Sequence, residues 1–176
     1  LKELKVNLEK YWESTGKEYI LAIDDRRLNS RSQHSLLNLL FQGAGSIAVK
    51  YTIMLVAQYL EERGKLGLVD TDSYEDSIEK IYQMIVYHDE AQYALPKGMY
   101  DCWYFDTEEE SETYRIENSI HTTTSYSEKL GKYYLSKPNI LTDAILDSID
   151  KTIEFLNIKV YLGMEYEVGR CWRDCH

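Results

Sequence analysis

The sequence predicts an α+β fold in which antiparallel hairpins pack against a long buried helix and a second, amphipathic helix. Three observations carry this. Residues 18–31, EYILAIDDRRLNSR, read as an apolar strand, an Asp24-Asp25 turn signal and a second short strand. Residues 33–63 are rich in helix formers and end at Gly64, a preferred C-terminal stop. Residues 81–95 run apolar, charged, apolar, with His88-Asp89-Glu90 at the break, which is the pattern of a second hairpin.

Each element can be taken in chain order. The first ten residues, LKELKVNLEK, are charged throughout and resemble no secretory signal. No apolar run is expected to be long enough to span a bilayer, so the chain reads as soluble and cytoplasmic with no membrane partner. It begins with Leu1 rather than Met, which suggests an excerpt, a processed product or a trimmed piece. Ser32 is the expected N-cap of the long helix. That helix is apolar on nearly every side over residues 36–41 and 47–57, so it is expected to be a core helix. An acidic loop with Asp70, Asp72, Glu75 and Asp76 follows, and residues 81–87 then read as a buried strand. Residues 96–136 show no clear periodicity, carry the acidic run Glu108-Glu109-Glu110, and read as a peripheral insertion. Pro138 marks a helix start, and Ile145, Ile149, Ile153 and Leu156 recur at helical spacing. Val160, Leu162, Met164, Tyr166 and Val168 alternate with more polar neighbours, predicting a terminal half-buried strand.

With 176 residues and 44% hydrophobic content, the chain can bury one core and is expected to form one domain. The net charge of −10 disfavours broad electrostatic binding to nucleic acid and leaves room only for local phosphate contacts. Cys102, Cys171 and Cys175 are odd in number and lack zinc-ligand spacing, so they read as reduced thiols.

Two constellations could carry chemistry. His34, Asn38 and Gln42 recur every four residues and project from one helix face. Amide groups on an apolar helix require hydrogen-bond partners, either neighbouring backbone or a polar ligand such as DNA bases and sugars. Gly43, Ala44 and Gly45 follow, and glycines inside a helix suggest close approach of another backbone or a ligand. The second constellation is His88-Asp89-Glu90. A charged β-turn explains it simply, whereas a hard cation such as Mg²⁺ would be bound by one or two such carboxylates together with substrate phosphates.

In combination, the stretches RSQHSLLNLLFQGAG (31–45), IVYHDEAQ (85–92) and GRCWRDCH (169–176), in this order, resemble the C-terminal palm of family A DNA polymerases, most closely the phage replicative enzymes. The resemblance covers residues 20–95 and 138–176 and implies a palm-type antiparallel sheet. It implies that Asp89 binds catalytic metal, that Glu90 supports it, and that His88 lies near the primer terminus. It further implies that His34, Asn38 and Gln42 touch the primer-template minor groove, and that the terminal His176 lies close to the active site. Mg²⁺ would then occupy a two-metal site completed by a carboxylate absent from this chain. The partners implied are primer-template DNA, a deoxynucleoside triphosphate and the N-terminal remainder of the polymerase, in the host cytoplasm if the gene belongs to a phage. The chain contains no counterpart of the family's Asp-Tyr-Ser motif, its nucleotide-gripping helix or its exonuclease region, so activity would require the missing part. A non-enzymatic interaction module and a catalytically dead relic are the alternatives.

Overall fold

The computed structural model describes residues 1–68, 72–87, 90–120, 122, 124–128, 130–163 and 166. Helix α1 (Lys2–Ser14) opens the chain. The sequence reading did not anticipate it, although Leu4, Leu8, Tyr11 and Trp12 recur at helical spacing. Leu8 and Trp12, one turn apart, face inward. Trp12 is buried, and its Nε1 donates to the Ser30 carbonyl at 3.3 Å.

Strands β1 (Tyr19–Leu21) and β2 (Arg27–Asn29) form the first expected hairpin, antiparallel with Ile20 opposite Leu28. Asp25 takes a positive φ of 62° in the turn, a conformation that Asp tolerates better than most residues. Ile20 and Leu28 share one face of the hairpin. Ile20 joins Trp12 and Leu36 in a small core against which Leu8, Leu28, Leu39 and Leu40 pack.

A 3₁₀ turn (Gln33–Ser35) leads into helix α2 (Leu36–Glu62), whose 27 residues span about 40 Å. The helix ends as expected at Gly64. The amide of Gly64 (φ 63°) donates to Glu61 O at 2.9 Å and that of Lys65 to Leu60 O at 2.8 Å, a Schellman closure.

The expectation of a core helix is corrected along much of its length. Only Leu36, Ile47, Ala48, Val56 and Leu60 are buried, while Phe41 and Met54 remain 51% and 55% exposed. Among the described residues, α1 and the β1–β2 hairpin cover one end of it and α5 with the root of the second hairpin the other, which leaves much of so long a helix open. The expectation about bilayer length is corrected too, since Gln33–Glu62 is long and apolar enough, by length and composition alone, to cross a membrane. Over part of its length it packs on α5. Thr52 Oγ1 and Thr152 Oγ1 lie 2.9 Å apart, and Tyr51 stacks on Phe155 with ring centroids 4.5 Å apart.

Helix α5 (Ile140–Phe155) turns Leu141, Ala144, Ser148, Ile149 and Thr152 inward, the amphipathic stripe expected of it. Its start is set by Asn139 rather than by Pro138. The Asn139 side chain accepts from the amides of Leu141 and Thr142, and Thr142 Oγ1 accepts from the Asn139 amide at 2.7 Å, completing a capping box. The main core, Val56, Leu60, Ile81, Leu141 and Ala144, lies between α2, α5 and the residue that leads into the second hairpin.

After the single-turn helix α3 (Tyr74–Ser77), strands β3 (Tyr82–Tyr87) and β4 (Glu90–Ala94) pair antiparallel from Tyr82↔Ala94 to Tyr87↔Glu90. The expectation that β3 is buried is corrected: Met84 and Ile85 are 59% and 50% exposed, and Val86 is exposed as well. A run of apolar residues specifies a strand, but among the described residues no third layer covers the middle of this two-stranded sheet.

Residues 96–136, read from sequence as aperiodic, contain regular structure. Strands β5 (Cys102–Phe105), β6 (Ser125–Ser127) and β7 (Lys132–Ser136) form an antiparallel sheet in the order β5-β7-β6. Helix α4 (Glu108–Glu117) covers one face through Tyr114, which packs on Trp103 and Phe105. The acidic run begins this helix: Thr107 caps it, Glu110 closes a capping box, and the three glutamates sit at the positive end of the helix dipole. The predicted terminal strand does not form over residues 158–163, where Val160 and Tyr161 are exposed, and the rest of it lies outside the described residues apart from Tyr166.

Candidate functional site

The row His34, Asn38, Gln42 is placed by the start of α2. His34 lies in the 3₁₀ turn, Asn38 and Gln42 lie on the helix, and all three are exposed. At about 100° per residue, Leu36, Leu40 and Gly43 face the β1–β2 hairpin, so the row points away from it into solvent. The amides therefore need no protein partner and stand available to a ligand.

The two glycines separate in role. A Cβ on Gly43 would fall 2.8 Å from Leu28 Cδ1, so internal packing accounts for it. A Cβ on Gly45 would meet nothing within 4 Å. Gly45 lies three residues beyond Gln42, on the same open face. Exposed Phe41 borders that face.

Local charge differs from the overall charge. No Asp or Glu occurs from Arg26 to Lys50, whereas Arg26, Arg27, Arg31 and Lys50 do. Arg26 is paired with Asp24 at 2.6 Å, and the Arg27 guanidinium lies 4.6 Å from the Tyr19 ring centroid. The acids of this chain are concentrated elsewhere.

The second constellation sits on the β3–β4 hairpin. Glu90 begins β4 and is exposed, and its Oε1 accepts from Gln92 Nε2 at 2.7 Å. His88, Asp89 and His176 lie outside the described residues. The base of the hairpin packs on the far end of α2: Tyr93, Leu95 and Ile81 meet Leu60, 18 residues beyond Gln42 or about 27 Å along the helix. Tyr93 is buried deeply enough that its phenol is pushed up to about 12. Among the described residues, no group of three or more His, Cys, Asp or Glu side chains could hold a metal ion.

Sequence reasoning missed the anchor of this hairpin. Asp72, expected in an acidic loop, has a side chain only 8% exposed. It accepts from Lys80 Nζ at 2.5 Å, Tyr82 Oη at 2.8 Å and the Leu68 amide at 2.7 Å. The Lys80 hydrogen bond, followed by that of Leu68, holds its carboxyl below the usual range. The Tyr82 ring lies across Gly67, where a Cβ would overlap the ring. Gly67 was the one available signal, a glycine shortly after α2 whose small size is needed for the approach of the Tyr82 ring. No protein-family model matches the chain, and no curated protein matches it.

Proposed function

We propose that this chain is the C-terminal part of the palm of a family A DNA polymerase, with a palm-type sheet, acting in the cytoplasm together with the remainder of that enzyme. The observation that carries the reading is the open face of α2. Three hydrogen-bonding side chains at four-residue spacing point into solvent from a segment free of acidic residues, as a helix laid along a duplex requires. The hairpin flanking His88 and Asp89 supplies the second part.

In this reading Asn38 and Gln42 donate to minor-groove acceptors, which are alike for all base pairs and report shape rather than sequence. Asp89, supported by Glu90, holds metal jointly with a carboxylate from outside this chain. Bound Mg²⁺ would lower the pKa of the primer hydroxyl and neutralise charge on the α-phosphate. His88 and His176 lie at the primer end. The chain positions and neutralises, and the incoming deoxynucleotide is gripped by the absent part.

Primer extension tests this. The chain is assayed with Mg²⁺ and four deoxynucleotides, alone and mixed with the polymerase polypeptide encoded upstream. Extension by the mixture alone, abolished by Asp89→Ala, is the expected result, and no extension by a verified, stable mixture overturns it.

A second reading, a protein-interaction module, is favoured by exposed Phe41, Met54, Met84, Ile85 and Val86 in a chain of net charge −10. Fluorescence anisotropy with a primer-template duplex separates the two: the module reading predicts no binding and no effect of Asn38→Ala or Gln42→Ala.

A further inference from the structure

The chain between α2 and β3 is stitched into a unit. The Leu66 amide returns to Leu60 O at 3.3 Å, just beyond the helix closure. Leu66 then bridges Ile81 in parallel, with the Ile81 amide donating to Lys65 O and the Gly67 amide to Ile81 O, both at 2.8 Å. The Asp72 amide donates to Leu68 O at 3.0 Å, and the Asp72 carboxylate reaches forward to Lys80 and Tyr82, the residues on either side of Ile81. One side chain therefore ties the exit of α2 to the entry of β3.

A carboxylate taken this far out of water needs several donors to offset its lost hydration, and three are present. Beyond Tyr82, β3 has few neighbours: Met84, Ile85 and Val86 are exposed. The direction of the hairpin is thus decided at its base.

We infer that Asp72 is a positioning residue, locking the β3–β4 hairpin to the end of α2 and so fixing the strands that flank His88 and Asp89 relative to the helix that carries Asn38 and Gln42. The lock rests on the contacts around Asp72; its consequence for catalysis rests on the polymerase reading. In that reading Asp72 acts through Asp89 and not on metal or substrate directly. It sets the orientation of a carboxylate that does, and misplacement by about 1 Å is enough to lower turnover roughly a hundredfold.

Two measurements test the inference separately. Hydrogen exchange compares the wild-type chain with Asp72→Ala. Amides of residues 81–94 should exchange about tenfold faster in the variant, while those of β5, β7 and α5 keep their rates, and Asp72→Glu should recover part of the protection. Unchanged exchange in the hairpin, or equal acceleration throughout the chain, overturns the lock. If Asp72→Ala does not fold, Tyr82→Phe removes one of the three donors and is judged by the same comparison.

In primer extension by the complemented polymerase, Asp72→Ala should lower kcat about a hundredfold with the Kd for primer-template and the KM for deoxynucleotide unchanged. Wild-type extension with an equally active Asp72→Ala overturns the positioning role and leaves the polymerase reading standing. Absence of extension by the wild-type mixture overturns the polymerase reading and the catalytic consequence with it, and the exchange result then decides the lock alone.

Discussion

The two hairpins use the same backbone pattern and are held in different ways. In β1–β2, Ile20 is fully buried among Trp12 and Leu36, so one whole face of the hairpin is fixed by side-chain packing. In β3–β4, the buried contacts gather at the base, in Ile81, Tyr93 and Leu95, while the middle of β3 stays open. The first hairpin is positioned by its core and the second by its root. Register in the first is defended by burial, because a one-residue slip would turn Ile20 outward. In the second it depends on polar contacts beside the root.

The sharpest way to break this contrast is a matched pair of truncations. Ile20→Ala should destabilise by about 3 kcal/mol in urea denaturation, whereas Val86→Ala should change stability by less than about 0.5 kcal/mol. Similar losses at both sites would mean that β3 is covered by something in solution.

Alkali tests the apolar part of the root. Tyr93 has a folded pKa pushed up to about 12 from an ordinary value of 10.0, so its contribution to stability is present below about 10 and is lost as pH rises toward 12. Burial also pushes Tyr104 and Tyr166 up, so tyrosinate absorbance should show late-titrating phenols of which Tyr93 is the latest, and the denaturation midpoint should fall across that window. Tyr93→Phe should remove the latest phenol from the titration and shrink the fall in midpoint.

Gly45→Ala probes the open face of α2, with opposite signs expected for stability and binding. An exposed helical Gly replaced by Ala should raise stability by up to about 1 kcal/mol, while primer-template affinity by anisotropy should fall. A gain in stability with unchanged affinity would remove Gly45 from the interface.

Acid probes the polar part of the root. Asp72 has a depressed folded pKa, so its contribution is complete above about 3.8 and is lost as pH falls below it. Wild type should be more stable than Asp72→Asn at neutral pH, and the difference should shrink when denaturation midpoints are measured at progressively lower pH.

Legibility in the sequence followed the strength of local signals. The first hairpin was readable because Asp24-Asp25 marks its turn. The end of α2 was readable because Gly64 is placed where only a positive φ continues the chain. Helix α1 was missed although Leu4, Leu8, Tyr11 and Trp12 recur at helical spacing, because the charged residues between them were read only as evidence against a secretory signal. Strands β5 and β7 were hidden by aromatic residues on both faces: Trp103 and Phe105 lie under α4, while Tyr104 and Tyr134 pair on the other side, so no polar alternation appears. Exposure was the least readable property. The apolar runs of α2 and β3 identify the elements but not what covers them. At the candidate site, the row on α2 follows from spacing alone, whereas Asp72 meets Lys80 and Tyr82 only through the fold of the intervening loop.

The β5-β7-β6 unit enters and leaves the fold at a single point. Cys102 pairs with Ser136, and just outside them Lys137 donates its amide to Asp101 O at 2.8 Å while Lys137 Nζ meets the Asp101 carboxylate at 2.5 Å. Chain that arrives at residue 101 departs from residue 137 a few ångströms away. Such a unit is a cassette: a reporter domain grafted between Asp101 and Lys137 would inherit the same doorway, losing the hydrogen bond from Thr122 to the Tyr166 carbonyl.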